Sequence, residues 1–175
     1  DNLIRYFFED SEKSYHVREL AKLSGKSPST VSKYLNDYKK QEILKSERKL
    51  NHLLFKANLD NSEFKDLKFS YNVGRLRDSG LIDFLIDEFN HPEAIVLFGS
   101  FRKAENLPES DVDLLVITPS IKKLNLSKFE KKLGNKIQLF QHSQKSIRLM
   151  KKNNKELLNN FVNGFIIYGH WELFK

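Results

Sequence analysis

Two carboxylates separated by one residue are the strongest chemical signal in this sequence. Asp111 and Asp113 precede an apolar run, Leu114–Ile117, which predicts a buried strand. Side chains two positions apart on a strand point to the same face of the sheet, so both carboxylates can hold one or two Mg²⁺ ions. Two such ions can stabilise both the entering and the leaving oxygen of a phosphoryl group. Without a cation, a pair of carboxylates at the start of a buried strand is costly.

A glycine–serine pair supplies groups that suit a triphosphate. Gly99 and Ser100 end another apolar run, at 94–98, which also predicts a buried strand. Because glycine has no side chain, backbone N–H groups can approach phosphate oxygens closely, and the serine hydroxyl adds a further donor. Transfer of a phosphoryl or nucleotidyl group depends mainly on such positioning and on neutralisation of charge.

Neither signal is specific by itself, but their order along the chain is. An apolar strand ends in Gly-Ser, a polar loop follows, and the run Ser110-Asp111-Val112-Asp113 opens a second strand. Over roughly residues 80–170 this arrangement resembles the polymerase-β-like nucleotidyltransferase superfamily. Within it, the sequence is similar to the minimal nucleotidyltransferases, some of which are antitoxins paired with helical ribonuclease toxins.

The resemblance implies a role for each of these residues. The glycine–serine pair would bind the triphosphate of ATP or another NTP, and the two aspartates would ligate Mg²⁺ and serve as the catalytic residues. Ser110 would cap the turn or contact a phosphate. Lys103 or Arg102 could reach a phosphate, and a solvated loop cation is an equal alternative.

The sequence departs from this family at two positions. Active members usually carry a third carboxylate on the next strand, here predicted at 135–141, where Gln138 is the best match. Glutamine coordinates weakly and cannot act as a base, and Ala104 replaces a frequent glycine. Binding of nucleotide and Mg²⁺ is therefore better supported than catalysis. Three other carboxylates are left as substitutes, without a pattern that places them at the site: Asp83, Glu93 and Glu156.

The N-terminal third predicts two short helices and a β-hairpin. Gly25 ends the first helix, because glycine accepts the left-handed backbone of a helix stop, and Leu23 is expected to face inward. Ser27 begins the second helix, over 28–41, as its N-cap. The hairpin follows at 43–57. Together these elements resemble a winged helix-turn-helix domain.

Positive charge is concentrated in one segment of this third, whose net charge equals the +7 of the chain. Eleven basic and four acidic side chains lie between Lys13 and Lys56, which favours an anionic partner such as DNA. The alternative is a module for protein interaction or dimerisation, since the fold is reused for other roles. Candidate DNA contacts lie at the start of the second helix and at the hairpin tip: Ser27, Ser29, Thr30, Lys33, Arg48 and Lys49.

Composition excludes several classes of protein. The sequence has no cysteine, so disulfides and thiolate metal sites are ruled out, and its five histidines are too scattered to predict a zinc site. No apolar run approaches the roughly 20 residues of a membrane helix. The start of the chain does not read as a secretory signal, and we expect a cytoplasmic protein without membrane partners.

These patterns predict an α/β (α+β) chain with a winged helix at 1–59, connecting helices at 60–90 and a small mixed-sheet nucleotidyltransferase domain at 91–175. The connecting region could support a homodimer. The predicted function is transfer of an NMP, AMP in the first instance, from a Mg-NTP to a protein or other hydroxyl acceptor, combined with DNA binding. A toxin is one such acceptor. The alternative is a DNA-binding regulator whose degenerate transferase domain only binds nucleotide or a partner protein.

Overall fold

The computed structural model describes residues 3–173. The chain divides into two compact units between Tyr71 and Asn72. Within the described residues no helix is long and apolar enough to cross a bilayer. The predicted mixed α/β class is confirmed, whereas the predicted domain limits at residues 59 and 90 remain predictions.

The first unit combines short helices with a three-stranded antiparallel sheet of strand order β1-β3-β2. Its core contains fully buried apolar side chains, among them Leu20, Leu35 and Phe55. Its elements are α1 (Arg5–Glu9), β1 (Tyr15–His16), α2 (Val17–Ser24), α3 (Pro28–Lys40), β2 (Leu44–Lys49) and β3 (His52–Ala57).

Local sequence signals explain how α2 ends and how α3 begins. Gly25 ends α2 in the left-handed region, at φ 68°, as predicted. The Ser27 hydroxyl accepts a hydrogen bond from the Thr30 N–H at 3.2 Å, which confirms the predicted cap. The inward position predicted for Leu23 is wrong, because its side chain is 51% exposed. The last turn of α2 is held through its backbone instead, where Tyr6 donates to the Leu23 carbonyl.

The second unit is built on a mixed sheet of strand order β6-β5-β4-β7. β4 is antiparallel to β5 and β7, whereas β5 and β6 are parallel. Helix α4 begins in the first unit and ends in the second. The elements are α4 (Ser62–Asp78), α5 (Leu81–Glu88), β4 (Ala94–Phe98), α6 (Gly99–Lys103), β5 (Val112–Ile117), α7 (Ser127–Leu133), β6 (Ile137–His142), α8 (Gln144–Asn153), α9 (Lys155–Val162) and β7 (Phe165–Gly169).

The two apolar runs form the central strands of this sheet. Every residue of β4 is buried, as are the last four residues of β5. Ile147 of α8 and Phe161 of α9 belong to the same buried cluster as Val96 and Leu115, so these helices cover one face. The strand directions place the end of β4 and the starts of β5 and β6 at one edge of the sheet.

The polar loop predicted after the glycine–serine pair begins instead as the one-turn helix α6. Phe101 in this helix is buried, and Ala104 ends it in the left-handed region at φ 57°. The Ala104 N–H donates to the Ser100 carbonyl. A single turn is too short to produce the apolar periodicity from which helices are predicted.

Candidate nucleotide and metal site

The register of β4 and β5 brings the predicted glycine against one of the predicted aspartates. Phe98 pairs with Asp113, so Gly99 follows directly at the sheet edge. Gly99 has φ +68°, and a Cβ added to it would collide with Oδ2 of Asp113. Glycine is thus required at this position both for its backbone conformation and for the space that the carboxylate occupies.

The parallel pairing of β5 and β6 adds the third member of the site. Asp113 is in register with Gln138, and the Gln138 Nε2 donates a hydrogen bond of 2.6 Å to Oδ2 of Asp111. Gln138 therefore lies beside both aspartates. The structure brings Gly99, Asp111, Asp113 and Gln138 together at one edge of the sheet.

The electrostatics of this edge favour a cation. Burial raises the pKa of the Asp113 carboxyl above its ordinary value, and the nearby charge of Asp111 raises that pKa further. Both effects disfavour the ionised form of Asp113. A cation held between the two carboxylates would reverse this penalty.

The other residues predicted to bind nucleotide differ in burial and in hydrogen bonding; they are Ser100, Lys103 and Ser110. Ser100 is half-buried in the first turn of α6, and its carbonyl accepts from the Glu105 N–H. The Ser110 hydroxyl accepts from the Leu107 N–H at 2.9 Å, so it caps the turn, the first of the two roles expected for it. Lys103 is exposed at the end of α6.

Buried asparagines that sequence reasoning missed hold the segment between β4 and β5. Asn135 donates to the carbonyls of Pro108 and Ser110, both at 3.0 Å. Asn72 donates to the Phe101 carbonyl at 3.0 Å and to Oδ1 of Asn106 at 2.8 Å. Amides outside a motif carry no periodic signal in the sequence, and only the fold shows what they bind.

None of the three substitute carboxylates considered from the sequence joins this site. Glu93 precedes β4 at its opposite end and accepts a hydrogen bond from Gln144. Glu156 is exposed on α9, and Asp83 is exposed on α5. Across residues 3–173, no three His, Cys, Asp or Glu side chains are grouped so that they could hold a metal ion.

Comparison with protein families finds a similarity in this part of the chain. Residues 78–162 match a family model described as the nucleotidyltransferase domain. The similarity to this family covers just under half of the length of the chain. The match contains Gly99, both aspartates and Gln138, so the chemistry that it supports is nucleotidyl transfer. No curated protein and no solved structure matches the chain significantly.

The two carboxylates of the matched segment have the chemistry of ligands for a hard cation. Asp111 and Asp113 supply carboxylate oxygens, which Mg²⁺ prefers, and the absence of a side chain at Gly99 leaves room for the Asp113 carboxylate. Gln138 contributes only a neutral amide. A second cation in the same site would lack an anionic ligand of its own.

The residues proposed for DNA contact lie in two places in the first unit. The hydroxyls of Ser29 and Thr30 lie 3.0 and 2.8 Å from that of Ser27 at the start of α3. Lys33 is exposed one turn further along that helix. Arg48 and Lys49 are exposed at the end of β2, next to the hairpin turn.

Proposed function

We propose that the domain transfers an NMP, AMP in the first instance, from an NTP to a hydroxyl group on another protein. The observation that supports this most strongly is the close approach of Asp113 to Gly99, inside the matched domain. In this proposal the backbone at Gly99 and the Ser100 hydroxyl bind the triphosphate. Asp111 and Asp113 would hold Mg²⁺, which when bound neutralises charge on the phosphates.

The proposed reaction forms one bond and breaks one. The acceptor oxygen bonds to the α-phosphorus, the bond from that phosphorus to the β-phosphate oxygen breaks, and pyrophosphate leaves. Gln138 cannot accept a proton, so the acceptor hydroxyl releases its proton to solvent. The domain therefore acts by positioning and by charge, as is general for this chemistry.

An open cleft next to the segment that leads to Asp111 supports a protein acceptor. A cleft of about 490 Å³ borders Asn135, which holds the segment leading to Asp111. Its lining carries both signs of charge, with Glu109 and Glu130 against Lys131 and Lys136. An open cleft with charges of both signs suits an extended peptide segment, such as one from a toxin, better than a small molecule that needs enclosure.

Label transfer tests this proposal. Purified chain is incubated with ATP labelled at the α-phosphate, Mg²⁺ and lysate, beside Asp111→Asn and the exposed control Asp87→Asn. We expect labelled protein with the wild type and with Asp87→Asn, and at least a tenfold loss with Asp111→Asn. If no component is labelled by the wild type, the proposal is wrong.

For the first unit, we infer a winged helix that binds DNA. What supports this is the element order α1-β1-α2-α3-β2-β3 with strand order β1-β3-β2. The exposed cations of α3 and of the hairpin add to it, because phosphate contacts supply most of the affinity of such domains.

A mobility-shift assay tests DNA binding. Lys33→Ala and Arg48→Ala should each weaken the shift, whereas Lys65→Ala on α4 should not, although Lys65 is also exposed. A chain that shifts no DNA at low salt would overturn the inference. Sedimentation of the intact chain tests the predicted homodimer.

The presence of Gln138 favours a second candidate, a DNA-binding regulator whose transferase domain only binds nucleotide or a partner protein. The two candidates differ in one measurable result. A regulator binds ATP with Mg²⁺ but transfers no label, whereas an enzyme does both.

A further inference from the structure

Gln138 occupies the position from which a third anionic ligand would reach the site. It is in register with Asp113 on the neighbouring parallel strand, and its side chain reaches Asp111. Strand pairing fixes this position, because a shift by one residue would turn the side chain to the other face of the sheet. The amide thus lies where a carboxylate would complete a site for two cations.

The hydrogen bond of Gln138 also has a direction that opposes a second cation. Its Nε2 donates to Oδ2 of Asp111 at 2.6 Å, since an amide oxygen turned that way would meet a carboxylate oxygen. The amide protons therefore occupy the side of Asp111 that faces β6. A cation on that side would have to displace them and would gain only a neutral ligand in return.

Two cations at the usual spacing of about 3.5–4 Å repel each other strongly and need anionic ligands between them. This site has two carboxylates. Within residues 3–173 no further acidic residue or histidine joins them in a group that could hold a metal ion. The charge available at this edge is enough for one cation together with the phosphates of a nucleotide.

We propose that this site holds a single divalent cation, which is bound together with a nucleoside triphosphate. In this proposal Gln138 is a positioning residue: its amide orients Asp111 and occupies the side of Asp111 on which a second cation would bind. The inference rests on the proposed function, because it concerns the same triphosphate site. It assigns Gln138 a role of its own, which is to orient one carboxylate ligand.

Electron paramagnetic resonance with Mn²⁺ in place of Mg²⁺ tests this inference. The intact chain is loaded with one equivalent of a non-hydrolysable ATP analogue, and bound Mn²⁺ is counted per chain, with the analogue alone as blank. Two Mn²⁺ ions a few ångströms apart give an exchange-coupled spectrum, whereas one ion does not. The variants are Gln138→Glu and the shorter Gln138→Asp, with Gln41→Glu as an exposed control that adds the same charge.

We expect one uncoupled Mn²⁺ in the wild type and in Gln41→Glu, and two coupled ions in at least one variant at position 138. A coupled pair in the wild type would overturn this inference and leave the proposed function intact. No bound Mn²⁺ in the wild type, even with the analogue, would overturn both. One ion in both position-138 variants, with circular dichroism showing them folded, would overturn the role of Gln138.

Discussion

Gly99 and Asp113 depend on each other at the scale of single residues. Gly99 has a positive φ, and the carboxylate of Asp113 fills the space where its side chain would be. Burial and the charge of Asp111 raise the pKa of Asp113, and a cation bound between the two carboxylates would offset both effects. A substitution at Gly99 should therefore affect ligand binding more than folding.

We predict that Gly99→Ala reduces ATP affinity at least tenfold in the presence of Mg²⁺, because the new methyl displaces Asp113. Gly134→Ala is the matched control, since Gly134 has φ +74° but open space around it. Both variants should lose about 1 kcal/mol of unfolding free energy from backbone strain. Calorimetry and urea unfolding measure the two effects, and equal ATP affinity in both variants would contradict the prediction.

Lys68 gives a prediction about pH. Its side chain is fully buried, its Nζ donates to the Ser11 hydroxyl at 3.1 Å, and burial lowers its pKa from 10.5 to about 8. The folded chain then loses this proton at a lower pH than the unfolded chain. The free energy of unfolding should therefore rise as the pH increases from about 8 to 10.5.

Replacing Lys68 by an uncharged residue tests whether its buried charge lowers the stability of the chain. Lys68→Met should raise the unfolding free energy at pH 7 by about 1–2 kcal/mol, because a buried charge no longer has to be desolvated. The gain should shrink as the pH approaches 10, and Lys65→Met, an exposed change in the same helix, should have no effect. Urea unfolding at several pH values measures the difference in unfolding free energy between Lys68→Met and the wild type. A difference that does not depend on pH would contradict the prediction.

At the scale of elements, the segment between β4 and β5 depends on buried amides. Asn135→Ala removes the two hydrogen bonds donated to the carbonyls of Pro108 and Ser110, and the longer one accepted from Arg75 at 3.5 Å. We expect a loss of about 1–3 kcal/mol in unfolding free energy, because buried carbonyls lose their partner. Amide exchange should also become faster across 105–111. Asn163→Ala, which removes one exposed bond to the Asn159 carbonyl, should leave that exchange unchanged.

Elements with a strong local pattern could be predicted from the sequence. The apolar runs predicted β4 and β5, and Ser27 predicted the start of α3. The elements that were missed or misjudged lack such a pattern. α6 is a single turn, and the exposure of Leu23 depends on what covers the end of α2.

The residues of the candidate site also differ in whether the sequence could predict them. Its glycine and aspartates could be selected from residue type and spacing. Gln138 was selected through the family resemblance, which implies a third carboxylate on the strand predicted at 135–141. The supporting asparagines of the site could not be selected, because Asn72 and Asn135 act through contacts across 29 and 27 residues. Long-range contacts of this kind depend on strand order, which local patterns do not encode.

At the scale of the whole molecule, the positive charge is densest in one segment of the first unit, although residues 1–71 carry a net charge of +3 and residues 72–175 one of +4. The segment from Lys13 to Lys56 carries eleven basic and four acidic side chains. Its excess of seven positive charges is the same as the net charge of the entire chain. Charge concentrated in this way favours attraction of nucleic acid. The site proposed for the triphosphate lies in the other unit.

The affinity for DNA should depend steeply on salt. If Lys33 and Arg48 each neutralise one phosphate, replacing either by alanine should reduce the slope of log K against log salt by about 1. Lys65→Ala should leave the slope unchanged. Fluorescence anisotropy at several salt concentrations measures this slope. An unchanged slope in all three variants would show that Lys33 and Arg48 do not contact the DNA phosphates.

Binding of ATP to the wild type and to Asp113→Asn tests the central claim most directly. The variant keeps the shape of the side chain but removes the charge beside Gly99. Calorimetric titration in the presence of Mg²⁺ should show one ATP per wild-type chain, no binding after chelation of the metal, and affinity at least tenfold weaker in Asp113→Asn. Equal affinity in the two proteins, or binding that does not respond to chelation, would contradict the account.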